Sequence, residues 1–63
     1  QPDVLLLERE NVEAYGDEDY LASAPDPERL EPMHRFYRAA LLDDFSRYQL
    51  IYEDDFGLVF LRQ

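Results

Sequence analysis

The order of hydrophobic blocks along the chain predicts an α+β fold. One main helix packs on a small three-stranded sheet, with the elements in the order strand, loop, helix, β-hairpin. Three observations carry this. Val4 to Leu7 is a continuous apolar run too short for a helix. Leu30, Met33, Tyr37, Ala40 and Leu41 recur at helical spacing. From Tyr48 onward a period-two pattern meets a second apolar run, Leu58 to Leu61, across a glycine-containing turn.

The first run is bounded by Pro2-Asp3 and by Glu8-Arg9-Glu10, and reads as a strand buried on both faces. Asn11 to Pro25 is polar and acidic around Tyr15, Tyr20 and Leu21. With Gly16 as a breaker it reads as a loop, with a helical turn near Asp17 to Ala22 and Tyr20 and Leu21 pinning it to the core. Asp26 is a good N-cap, Pro27 suits a first helical position, and Glu28 favours the positive end of the helix dipole. Pro32 conflicts with one continuous helix, because an interior proline costs about 3 kcal/mol. Two solutions are open: a separate turn from Pro27 to Leu30, or Pro32 itself near the start of the main helix. The second is preferred, giving a helix from about Pro32 to Asp43, with Phe36 beside the apolar stripe.

Arg47 to Glu53 alternates, with Tyr48, Leu50 and Tyr52 on one face and Gln49, Ile51 and Glu53 on the other. Asp54-Asp55-Phe56-Gly57 supplies a turn, with glycine available for a positive φ. Leu58 to Leu61, closed by Arg62, completes the hairpin. A helix on one face of three strands is the economical packing. If the first strand pairs in parallel with a hairpin strand, the crossover is right-handed.

The 63 residues bound the chain to one small domain, residues 1–63, too short for a Rossmann fold or a TIM barrel. A domain of this size buries only about 60% of its unfolded surface. No Cys is present, so neither disulfides nor a thiolate zinc site supplies extra stability. Fifteen acidic residues face six basic ones, all Arg, for a net charge of −9. Disorder is opposed by 46% hydrophobic residues gathered into blocks. Nucleic acid and anionic membrane surfaces are disfavoured as partners, since both need clustered Lys and Arg. Carboxylate excess with Lys absent points to a chain adapted to concentrated salt, where self-repulsion is screened. The chain opens on Gln1 without a basic-then-apolar leader, and no apolar run approaches the roughly 18 residues that span a bilayer. The expectation is a fragment of a longer protein.

No catalytic constellation is legible. His34, the only histidine, flanks the helical stripe, and sequence places no nucleophile or orienting carboxylate beside it. Asp55-Phe56-Gly57 spells the kinase metal-binding triplet, but a chain without Lys lacks the strand lysine that the kinase site needs. Asp17-Glu18-Asp19 and Glu53-Asp54-Asp55 lack the ligand spacing of a calcium loop. No residue is therefore assigned as catalytic, cofactor-binding or metal-binding, and no cofactor is expected. Phe36, Tyr37, Tyr48, Tyr52 and Phe60 are expected in the core, and Tyr15 and Tyr20 as exposed contacts.

Three stretches carry a family resemblance: Pro2-Asp3-Val4-Leu5-Leu6-Leu7, Phe36-Tyr37-Arg38-Ala39-Ala40-Leu41-Leu42, and the run from Tyr48 through Asp54-Asp55-Phe56-Gly57 to Arg62. In this order they resemble the C-terminal soluble tail of polytopic membrane glycosyltransferases of the dolichyl-phosphate-mannose protein mannosyltransferase-like group. The resemblance implies a non-catalytic accessory domain on the extracytoplasmic side of the membrane. It also implies attachment to a membrane region that holds the catalytic acid in one of its own loops. The partner is then the rest of the parent protein, with no direct membrane insertion by this segment. Residues 11–31 match no pattern of that group. The alternative is a free-standing acidic module, cytoplasmic in a halophile, that binds a basic protein partner.

Salt adaptation has a direct measure. The melting temperature rises between dilute buffer and about 1 M KCl, where the Debye length is ~3 Å. An unchanged melting temperature excludes it.

Overall fold

The structure, a computed structural model, describes residues 2–63. Strand β1 (Val4–Glu8) leads directly into helix α1 (Arg9–Gly16). Consecutive turns then connect to helix α2 (Pro27–Leu41), and the hairpin of β2 (Tyr48–Glu53) and β3 (Gly57–Arg62) closes the chain. The fold is α+β, with two helices on a three-stranded sheet of order β1-β3-β2.

Every strand pair is antiparallel, so the parallel option for the first strand and its handed crossover do not arise. β1 lies against the last strand of the chain, Leu5 opposite Phe60 and Leu7 opposite Leu58. Leu5, Leu7, Leu58, Phe60, Tyr48 and Leu50 alternate onto one face and form the core with Val12 of α1 and Ala40 and Tyr37 of α2. Phe60 and Val12 are fully buried. Phe45, from the α2–β2 connection, stands edge-on to Phe60 with centroids 5.0 Å apart.

Expectations for the first strand and for both helices are corrected here. The run Val4 to Leu7 is covered on one face only: Val4 and Leu6 point away from the helices, and Leu6 is 76% exposed. An apolar run shows that a strand tolerates burial on both faces, not that a second layer exists to cover it. The loop expected from Asn11 begins instead as α1. Val12 and Gly16, one helical turn apart, both face inward, and the Arg9–Glu13 pair spans the same interval outside. The turn expected near Asp17 to Ala22 is present, with the Tyr20 N–H donating to the Asp17 carbonyl at 3.0 Å.

The main helix is continuous from Pro27, with Asp26 capping the Arg29 N–H, so the start expected at Pro32 is five residues late. The bond that Pro32 removes is the one to the Glu28 carbonyl, in an exposed first turn where water replaces the donor. The helix ends at Leu41 rather than Asp43, which takes a positive φ of 52° beyond it. The Asp44 N–H closes that end on the Ala39 carbonyl at 2.8 Å.

Gly16 sets how close the helices come. A Cβ there would lie 2.8 Å from the Tyr37 carbonyl oxygen, so α1 ends with its backbone against that of α2. Arg38 Nη1 donates to the Gly16 carbonyl across the same contact at 3.0 Å.

Two substitutions test the helix layer in opposite directions. Gly16→Ala lowers the free energy of unfolding by about 1–3 kcal/mol, the cost of overpacking. Asp43→Gly raises it by up to about 1 kcal/mol by relieving the left-handed backbone. Urea denaturation of the two variants measures both.

Candidate interaction surface

The face of the sheet away from the helices is built by the same alternation that builds the core. Val4 and Leu6 of β1 stand beside Leu61 and Val59 of β3. On the other side of β3, Tyr52 lies opposite Val59 and Gln49 opposite Leu61. The expectation that Tyr52 shares the inner face with Tyr48 and Leu50 fails because the β2–β3 register shifts between Leu50 and Tyr52. Ile51 is the extra residue of that bulge, and beyond it the strand's alternation is reversed. Tyr52 is therefore on the outer face and 58% exposed, not a core aromatic.

The turn after β2 adds a further apolar side chain to this surface and fixes its position. Asp54 Oδ1 accepts from the Phe56 and Gly57 N–H groups at 2.8 and 2.9 Å, and Oδ2 accepts from the Tyr52 hydroxyl at 3.0 Å. The Asp54 N–H in turn donates to the Gly57 carbonyl at 3.0 Å. These bonds hold the Asp54 carboxyl below the usual carboxylate range, the Phe56 amide contributing most, then Gly57 and the Tyr52 hydroxyl. The Tyr52 hydroxyl is pushed upward, first by its bond to Asp54 and then by that carboxylate's charge. Gly57 has no positive φ, contrary to expectation. Its lack of a Cβ matters because one would lie 2.9 Å from the Leu7 carbonyl oxygen. With the turn held this way, Phe56 projects into solvent, 85% exposed.

Arg9 fastens the turn to the start of α1. Its Nε donates to the Asp54 carbonyl at 2.6 Å, its Nη2 pairs with Glu53 at 2.8 Å, and its own N–H donates to the Phe56 carbonyl at 2.9 Å. A shallow cleft of about 290 Å³ lies between Leu6, Tyr52, Phe56 and Val59, bordered by Glu8 and Asp54.

Val4, Leu6, Ile51, Tyr52, Phe56 and Leu61 are all substantially exposed. The aromatics Tyr52 and Phe56 present ~150–250 Å² each when free, and with the four aliphatic side chains they open a surface on the order of several hundred Å². Monomers rarely leave more than about 300–600 Å² of contiguous apolar surface open. One side of a standard protein interface covers about 800 Å². The charges that border the outer face at the Glu8 end are carboxylates: Glu8, opposite Gly57, and Asp54 and Asp55 of the turn. Arg9 is already engaged there, and at the other end Arg62 pairs with Asp3 at 2.5 Å.

A larger open groove of about 670 Å³ follows α2, past Leu21, Pro32, Phe36, Ala39, Leu42 and Phe45. Its charges are largely answered within the chain. Arg35 pairs with Glu31, and Arg38 with the Gly16 carbonyl and, at 3.9 Å, with Glu18. The outer sheet face is the better candidate despite its smaller cleft, because its apolar side chains are the more exposed.

His34 lies away from that face. Its Nδ1 is 2.8 Å from the Tyr15 carbonyl, to which it donates, and its ring stacks against Tyr20 with centroids 6.2 Å apart. Tyr15 also meets Tyr20 and Tyr37, at 5.4 and 5.3 Å. The loop tyrosines expected as exposed contacts are thus half-buried and pin the connection to α2. Among the described residues no three His, Asp or Glu side chains converge to hold a metal ion, and no helix is long and apolar enough to cross a membrane. Compared with protein families, with characterised proteins and with solved structures, the chain matches none.

The turn chemistry has a pH signature. A carboxyl held below its unfolded value near 3.9 stabilises the fold above that pH, and the contribution is lost as pH falls through the lower folded value. Thermal stability of the wild type therefore falls on acidification below about pH 4, and Asp54→Asn flattens that part of the profile. Melting curves by circular dichroism between pH 2 and 6 read the difference.

Proposed function

We propose that this chain is a non-catalytic docking domain. It seats its outer sheet face on a protein surface that is apolar at its centre and basic at its rim. One observation carries the reading: a contiguous apolar sheet face, open to solvent, whose bordering charges at the turn end are carboxylates. Burial of apolar area supplies the adhesion. The carboxylates select against acidic partners, and the net charge of −9 steers basic ones.

The accessory role implied by the glycosyltransferase resemblance is the case in which that surface belongs to the same polypeptide, on the extracytoplasmic side of the membrane. In that setting the domain shapes or stabilises its neighbour, and glycosyl transfer stays with the membrane region.

Selection from a random peptide library tests the reading. Enriched peptides combine apolar residues with Lys or Arg, and they lose binding to the double variant Leu6→Asp, Phe56→Asp. Both positions are largely exposed, so the double variant keeps the wild-type melting temperature to within a few degrees. Enrichment without basic residues, or equal binding to the variant, refutes the proposal.

A further inference from the structure

The two outer strands of the sheet have unlike edges. In an antiparallel pair, residues alternate between those that exchange both backbone bonds with the partner strand and those whose N–H and C=O point the other way. The Arg62 N–H donates to the Asp3 carbonyl at 2.8 Å, and the Arg9 N–H to the Phe56 carbonyl at 2.9 Å. With the β1–β3 register, these two bonds assign Asp3, Leu5, Leu7 and Arg9 to the inward set. Val4, Leu6 and Glu8 form the outward set. The Glu8 carbonyl turns into α1, whose N-cap it is. The N–H groups of Val4, Leu6 and Glu8 and the carbonyls of Val4 and Leu6 then line the free edge of β1. Among the described residues nothing in the chain bonds to the Val4 or Leu6 backbone.

Exposed strand edges are usually blunted by a bulge, a proline, a lysine or an inward-pointing charge. β2 follows this rule, with its bulge at Ile51. β1 does not. It has no proline, no bulge and no lysine, and its only charged residue is the terminal Glu8. The residues whose backbone groups point outward are also those whose side chains lie on the apolar outer face. A strand laid beside β1 therefore extends the sheet and the exposed apolar face in one step.

From these observations we infer that the free edge of β1 accepts an extended segment of the docking partner as a fourth strand. The segment places apolar side chains on the outer face beside Val4 and Leu6, with Lys or Arg at the end next to Glu8, Asp54 and Asp55. The inference rests on the docking reading and specifies its mode. A second copy of this chain is the less suitable occupant, since pairing β1 with itself brings together two chains of charge −9 and supplies no Lys. Main-chain bonds give such a complex its affinity, and alternate side chains give it specificity.

The test uses the acetylated, amidated peptide Lys-Lys-Val-Thr-Val-Thr-Val, titrated by calorimetry in low salt. Two backbone-methylated forms accompany it, one methylated on the valine nitrogens and the other on the threonine nitrogens. In a strand beside β1, one of these sets faces β1 and the other faces solvent, so one methylated form loses binding and the other keeps it. On the protein side, Leu6→Pro removes an outward N–H without removing a β1–β3 bond, a substitution that edge strands tolerate. It weakens binding at least about tenfold, while Leu6→Thr, which keeps the N–H, stays within about threefold.

If Leu6→Pro folds and binds like the wild type, or both methylated forms bind like the parent, strand addition is wrong. The docking reading then still stands on its own library test. Absence of peptide binding below about 1 mM also overturns strand addition. So does a wild-type dimer in dilute buffer that Leu6→Pro dissociates, because the edge is then taken by a second copy.

Discussion

Phe60 is the side chain on which the other elements depend. It lies on β3, the strand paired on both sides, and is fully buried beneath the helices. Leu5 and Leu50 flank it across the sheet, Phe45 meets it edge-on, and Val12 and Ala40 join it from the two helices. Among the described residues four hydrophobic side chains are buried, so each element joins this cluster through one or two residues. β1, at the start of the chain, is ordered only when β3, at its end, is in place. Closing that long loop is the main entropic cost of the topology.

Much of the inner face was legible in the sequence, because period-two and helical spacings both record burial against a core. Leu5, Leu7, Leu58 and Phe60 sit in apolar runs, and Tyr37 and Ala40 follow the helical stripe. Helix α1 was harder to read. Of its eight residues only Val12 and Gly16 are buried, and two of the others are Glu, a composition that suits a loop equally well. The signals present were an apolar residue and a glycine one turn apart, and an Arg–Glu pair at the same interval. What makes the segment helical is tertiary: the bonds that the Arg9 side chain and backbone N–H donate to the Asp54 and Phe56 carbonyls of the turn, and the backbone contact at Gly16.

The outer face was legible only in part, for two physical reasons. Apolar runs carry no information about whether a second layer is present, so Val4 and Leu6 read as core. A bulge is invisible to a period count, so Tyr52 read as continuing the series of Tyr48 and Leu50. Ile51, the one apolar residue at a position expected to be polar, was the trace of that bulge. The acidic turn, read only as a chain reversal, proves to be organised by a single carboxylate. Asp54 bonds two backbone N–H groups and a phenol, which is why Phe56 is displayed outward rather than folded back.

Charge acts differently on the two sides of the molecule. Arg9, Arg35, Arg38 and Arg62 are all in ion pairs that tie elements together or brace a helix, so the cations are largely turned to internal use. What the chain presents to its surroundings is the surplus of carboxylates. Salt screens that surplus in two senses: it relieves repulsion within the folded chain and it weakens attraction to a basic partner. Stability and affinity therefore respond to salt with opposite signs. An apolar face reconciles the two demands, because its contribution to binding comes from area removed from water, which screening leaves in place. On the docking proposal, selection by the carboxylates therefore belongs to dilute solution, while the adhesion that survives concentrated salt comes from Leu6, Tyr52, Phe56 and Val59.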